Sequence, residues 1–160
     1  MGVEIEKKFL VDPVKWEQFN KPEGTAFRQG YLVNEKGKTV RVRIAGDKAF
    51  ITIKGATEGF TRKEYEYEIP LKDGEELLEN FKLAGTSKTR YCIPLGGKVW
   101  EVDVFTGANA GLIVAEIELE SADDQFEQPD FLAEEVTHDP RYYNSNLALH
   151  PYQLWDQKSK

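Results

Sequence analysis

Apolar and charged residues alternate one for one along much of this chain, and the charged members keep falling on the same side. Successive side chains of a β-strand point to opposite faces, so in the opening segment Glu4, Glu6 and Lys8 share one face and Val3, Ile5 and Phe9 the other. The pattern returns six more times. Arg41 and Arg43 alternate with Val40, Val42 and Ile44, and Thr52 and Lys54 with Ile51 and Ile53. Arg62, Glu64, Glu66 and Glu68 alternate with Lys63, Tyr65, Tyr67 and Ile69, and Lys88 and Arg90 share a face. Glu101 and Asp103 alternate with Trp100, Val102 and Val104, and Glu116, Glu118 and Glu120 with Ala115, Ile117 and Leu119.

This periodicity predicts eight strands, over 2–11, 27–34, 38–45, 48–55, 61–70, 87–94, 97–106 and 112–121, a number that suits a barrel. Glu35-Lys36-Gly37-Lys38, Ala45-Gly46-Asp47-Lys48 and Leu95-Gly96-Gly97-Lys98 read as hairpin turns, with Gly where positive φ is needed. Strands two to five and six to eight therefore form antiparallel meanders. A helix is expected over 73–84, capped by Asp73 and apolar at Leu77, Leu78, Phe81 and Leu83. Shorter ones are expected over 13–20, with Trp16 and Phe19 inward, and over 143–149.

A sheet with one ionic face can turn it to water while helices cover the other. Two features argue for the ions facing inward. The predicted helices are too few to cover the apolar face unless the sheet curls, and Arg repeats with Arg and Glu with Glu along single strands, which costs energy without a ligand. A closed barrel with a polar, ligand-filled interior answers both. Its bore would hold Lys8, Arg41, Arg43, Lys54, Arg62, Lys88 and Arg90 against Glu4, Glu6, Glu64, Glu66, Asp103, Glu116 and Glu118. Guanidinium and ammonium groups suit a compact polyanion with several phosphates, while paired carboxylates suit Mg2+ or Mn2+. Phosphoryl transfer needs both.

Length and charge narrow the classes. At 160 residues the chain fits one domain, 1–160. The excess of 28 acidic over 21 basic residues argues against nucleic acid or an anionic membrane as partner. No apolar run approaches a membrane span, and the start has neither a basic n-region nor an apolar h-region, so a cytoplasmic location is expected. Cys92, the lone cysteine, reads as a packing residue between Tyr91 and Ile93. His138 and His150 match no zinc spacing and read as surface residues. Trp155 and the Lys158-Ser159-Lys160 end read as peripheral.

Glu4-Ile5-Glu6-Lys7-Lys8 resembles the ExExK element of the CYTH superfamily, the triphosphate tunnel metalloenzymes. Arg28-Gln29-Gly30-Tyr31-Leu32, Val40-Arg41-Val42-Arg43, Thr52-Ile53-Lys54, Glu64-Tyr65-Glu66, Lys88-Thr89-Arg90-Tyr91, Glu101-Val102-Asp103-Val104-Phe105 and Glu116-Ile117-Glu118 resemble its strand motifs in order. The resemblance implies an α+β protein built on an eight-stranded antiparallel tunnel with a few flanking helices. It implies Glu4, Glu6 and Glu118 as the main ligands of one or two Mg2+ or Mn2+ ions, with Asp103 and Glu116 secondary. Lys8, Arg41, Arg43, Lys54, Lys88 and Arg90 would hold phosphates, Glu64 and Glu66 would orient the cations or a second metal, and Lys88 and Tyr31 would stand near the reacting phosphate. The run Asp139–Asn144 would lead into a helix closing one tunnel end.

Among the activities of that family, the short bacterial inorganic triphosphatases are most similar, and hydrolysis of tripolyphosphate is the expected reaction. An adenylyl cyclase of class IV type, a nucleoside or thiamine triphosphatase and a non-catalytic polyphosphate-binding module are the alternatives. A cyclase needs a base pocket for which no motif is present, and a binding module has no use for paired carboxylates without metal. A second copy of the chain is the one macromolecular partner left open.

Overall fold

The computed structural model describes residues 2–59 and 61–156; the side chains of residues 2–4, and so that of Glu4, lie outside the description, as does the Lys158-Ser159-Lys160 end. The eight expected strands form: β1 (Gly2–Val11), β2 (Thr25–Glu35), β3 (Lys38–Ala45), β4 (Lys48–Glu58), β5 (Thr61–Ile69), β6 (Ala84–Leu95), β7 (Lys98–Thr106) and β8 (Ile113–Glu118). All pair antiparallel in the order β5-β4-β3-β2-β6-β7-β8-β1, and pairing of β5 with β1 closes the barrel. The turn glycines Gly37, Gly46, Gly96 and Gly97 all take positive φ, as the two-residue hairpins require.

The last barrel strand ends at Glu118, earlier than the alternation suggests, and a ninth strand, β9 (Leu132–Glu135), was not expected. β9 pairs with β1 at Phe9 and Val11, while β5 takes residues 2–5. β9 is four residues long with three of them exposed, so it lacks the alternation that marks the others.

Among the described residues, three short α-helices flank the barrel: α1 (Pro13–Gln18), α2 (Leu71–Phe81) and α3 (Asn144–Leu149). Asp12 caps α1, its carboxylate accepting from the Val14 and Lys15 amides. α2 begins before the expected start, with Pro70 at its cap position, so Asp73 is no cap but a charge in the first turn, where the helix dipole favours it. Leu77 and Leu78 pack on the outer wall with Val42, Ile44 and Ala49. Phe81 and Leu83, expected on the same face, are exposed, because the helix stops at Phe81 and the chain turns into β6 with the Leu83 amide bonded to the Tyr31 carbonyl.

On the outer wall Phe9, Trp100 and Ile117 join Trp16 and Phe131 in an aromatic-rich core. At one end of the bore, Phe105 and Val114 continue the inward faces of β7 and β8 and meet Tyr142 and Leu147 from the C-terminal segment. Trp155 belongs to this cluster rather than to the periphery, with its ring centroid 5.2 Å from both Tyr142 and Tyr152. Cys92 is exposed and not a packing residue: it alternates with Tyr91 and Ile93 and so shares the ionic face of Lys88 and Arg90. His138 and His150 are both exposed, as their spacing suggested. Among the described residues no helix is long and apolar enough to cross a membrane.

Helix α2 lies close on β4 at Gly74, where an added Cβ would stand 2.6 Å from the Ala49 Cβ. Gly→Ala inside a helix ordinarily stabilises by up to about 1 kcal/mol. Here Gly74→Ala is expected to destabilise by about 1–3 kcal/mol through overpacking, read as a lower denaturation midpoint.

Candidate functional site

The inward faces of the strands enclose a polar cavity of about 240 Å³. At roughly 30 Å³ per water, this is space for a short chain of phosphates. Of the seven expected cations, Lys8, Arg41, Arg43, Lys54, Arg62 and Arg90 line it; of the acidic set, Glu6, Glu64, Glu66, Glu116 and Glu118 do. Tyr31 is on the wall as well, and buried.

The acidic side is built by β1 and β8. Their register sets Glu6 opposite Glu118 and Lys8 opposite Glu116. Like charges directly across a ladder repel, and Glu6 also stands within hydrogen-bond reach of Glu116, so this corner calls for a cation. Lys8 answers part of that demand: its Nζ is 3.6 Å from the Glu116 carboxylate and donates to the Tyr142 carbonyl at 3.1 Å. Burial alone would push the Lys8 ammonium down, but Glu116 and Glu6 outweigh it and hold its pKa above the ordinary lysine value. Burial works against the Glu116 charge too, and is overcome by Lys8, Arg90 and Lys88, which hold the carboxyl far below its usual range.

The basic side lies across β3, β4 and β5. Glu66 bridges Arg41 and Arg43 at 3.9 and 3.5 Å and accepts from Thr52 Oγ1 at 2.8 Å. Lys54 pairs with Glu64 at 3.5 Å, and Arg62 Nε donates to the Gly55 carbonyl at 2.7 Å. Arg41 and Arg43 are incompletely satisfied: the Nε of each is buried with no hydrogen-bond partner. Burial, reinforced by Arg41 and Arg90, lowers the pKa of Arg43. A buried donor without an acceptor costs free energy, and an anion in the cavity would relieve it.

Two expected residues are placed differently. Asp103 does not join the acidic corner, because its oxygens are engaged: Lys88 Nζ at 2.6 Å, and Arg90 Nε and Nη2 at 2.7 and 2.9 Å. Lys88 is 2 % exposed and stands behind the cavity wall, bound to Asp103. Asp103 thereby clamps the fork of Arg90, whose Nη1 also donates to Glu101 at 3.0 Å. Burial pushes the Lys88 amine down to about 8, with Arg90 adding to the shift and Asp103 opposing it; the carboxylate divides its charge between two cations and restores Lys88 only in part.

The alternation also puts Glu101 on the inward face, and it lines the cavity where Asp103 does not. Thr137, Tyr143, Asn144 and Ser145 line it from the C-terminal segment, where no periodicity could reveal them.

Among the described residues no three His, Cys, Asp or Glu side chains already converge on one point. The donors at the acidic corner are nevertheless oxygens only, facing one another from adjacent strands. Mg2+ characteristically takes one or two carboxylates and completes its shell with water and substrate phosphates, an arrangement this corner fits.

The CYTH domain profile matches residues 2–146. The chain is similar to an inorganic triphosphatase of Acetivibrio thermocellus, 47% identical over 95% of this chain and 97% of that one. It is likewise similar to an inorganic triphosphatase of Nitrosomonas europaea, at 37% identity over 91% and 97% of the two chains. A crystal structure of an inorganic triphosphatase superposes with a TM-score of 0.64 at 36% identity, covering 93% of this chain and 96% of that chain.

The state of Lys88 is open to measurement. In the unfolded chain it keeps its proton up to its ordinary value of 10.5, whereas in the fold it loses it at about 8. Between those values the unfolded state binds more protons, so the contribution of Lys88 to stability rises with pH. Wild type is expected to gain on Lys88→Met across that window, by at most a few kcal/mol, in unfolding titrations of both proteins. A constant difference between them would show Lys88 to titrate normally.

Proposed function

The chain belongs to the CYTH family, and from that footing we propose that it hydrolyses inorganic tripolyphosphate, releasing phosphate, with Mg2+ or Mn2+ held by Glu4, Glu6 and Glu118. The observation that carries this reading is the division of one cavity into two sides: facing carboxylates that need a cation, and buried guanidinium donors that need an anion. Its relatives named as inorganic triphosphatases support the choice of substrate.

In this reading the phosphate chain lies along Arg41, Arg43, Lys54, Arg62 and Arg90, with Lys8 at the acidic corner. The guanidinium forks fix its oxygens and neutralise the charge that builds up as the anhydride bond breaks. A divalent ion bound at the carboxylates supplies further charge neutralisation and makes water a better nucleophile. Water attacks a terminal phosphorus, and the P–O bond electrons leave with pyrophosphate. Glu64 and Glu66 keep Lys54, Arg41 and Arg43 aimed at the chain, and Thr52 steadies Glu66. Tyr31 meets the substrate from the wall. Lys88 acts as a positioning residue through Asp103, which holds Arg90. Glu116 stays ionised to hold Lys8 and would be a secondary ligand of a divalent ion at Glu6 and Glu118.

The test is a panel of tripolyphosphate, pyrophosphate, ATP and thiamine triphosphate with each metal and with EDTA, products identified. Phosphate and pyrophosphate from tripolyphosphate are expected, and EDTA abolishes them. Cyclic AMP from ATP would make the protein a cyclase; tight binding with every substrate intact would make it a binding module.

Two substitutions separate the sides of the cavity. Glu118→Gln is expected to lower kcat by about a hundredfold or more, while metal-free binding of tripolyphosphate in calorimetry holds. Arg41→Ala is expected to weaken that metal-free binding, and equal metal-free affinity in the variant and wild type would count against the basic side as the phosphate site.

A further inference from the structure

Phe27 lies on the inward face of β2, opposite Lys88 in the β2–β6 ladder. It does not line the cavity, but two residues that do rest over its ring: the Arg43 Cζ is 5.0 Å from the ring centroid and the Arg90 Cζ 4.9 Å. Phe50 gives Arg43 a second ring at 5.8 Å.

The two guanidiniums are held in unequal ways. Arg90 is locked by Asp103 and Glu101. Arg43 has Glu66 at the long distance of 3.5 Å and a buried Nε without a partner, and it is electrostatically opposed by Arg41 and Arg90. Aromatic faces carry negative potential, so a ring under both cations offsets their repulsion and fixes the plane of the less constrained one. The same occupancy has a second effect. A nucleobase entering this region would seek an aromatic face to stack on, and the face of Phe27 already carries cations.

We propose that Phe27 is a specificity-determining positioning residue: it holds Arg43 beside Arg90 for the unesterified end of a phosphate chain and withholds its ring from a nucleobase. The inference rests on the reading of this cavity as a tripolyphosphate site and names which end of the substrate class the cavity selects. Tripolyphosphate has an unesterified phosphate at both ends and ATP at only one, so two fixed guanidiniums at the end where a nucleoside would be attached favour the inorganic chain.

The experiment is metal-free calorimetry with tripolyphosphate and ATP as probes, alongside steady-state kinetics on both, for wild type, Phe27→Leu and Phe27→Tyr. Wild type is expected to prefer tripolyphosphate. Phe27→Leu is expected to reduce that preference about tenfold, the size of loss that a desolvated cation–π contact supports, through Kd and KM more than kcat. Phe27→Tyr, which keeps the ring, is expected to keep the preference. An unchanged preference in Phe27→Leu, or an equal loss in Phe27→Tyr, overturns the proposal. Phe27→Met replaces Phe27→Leu with the same readout if the latter does not fold. Wild type that binds tripolyphosphate but hydrolyses nothing would end the hydrolase reading alone, since the calorimetric preference still decides the role of Phe27.

Discussion

Two immiscible faces on every strand are the constraint from which this structure follows. An aliphatic face must leave water, and an ionic face of repeated like charges must find opposite charges. A flat sheet with few helices can satisfy neither. Closing β5 onto β1 lets the ionic faces look at one another across a bore and hands the apolar faces to α1, α2 and the C-terminal segment. The barrel is the geometry in which both demands are met by the same strands.

Inside the bore the balance is uneven. Lys88, Asp103 and Arg90 satisfy one another, and Lys8 is satisfied by Glu116 and the Tyr142 carbonyl. Elsewhere the charges remain in tension: Glu6 faces Glu118, and Arg41 and Arg43 share one carboxylate. Buried ion pairs do little for stability by themselves, because desolvation offsets attraction. The satisfied group fixes geometry, and the mutually opposed groups are those that a bound ion of opposite charge would relieve.

Most of this was legible in the sequence because period-two alternation reports directly which residues share a face. It located the strands, the hairpins and most of the charged side chains on the cavity wall, Glu6 and Arg41 among them. It failed where alternation carries no information about depth. Asp103 and Lys88 share faces with Glu101 and Arg90, yet both are buried, with the Lys88 ammonium 5.5 Å from the Phe105 ring centroid, while Glu101 and Arg90 line the cavity. It also failed for contributions without periodicity. The carbonyl of Tyr142 and strand β9 come from stretches without alternation, and the helix expected over 143–149 gave no sign that Asn144 and Ser145, in its first turn, line the wall, where Leu147 anchors them. The cap of α2 went astray because Pro70 starts a helix without needing a side-chain acceptor.

Strand β1 carries Glu6 and Lys8, yet it has no neighbour close in the chain: its partners are β5, β8 and β9. A ribosome delivers β1 before the other strands, and β8 and β9 after them. Until then the opening segment has only remote pairing to wait for, and such pairing is slow because loop closure must be paid in advance. The meander from β2 to β5 is able to assemble as it emerges, while the acidic corner comes into being only at the final closure. A nascent or truncated chain lacking residues 113–118 therefore has the basic half of the cradle without the acidic half.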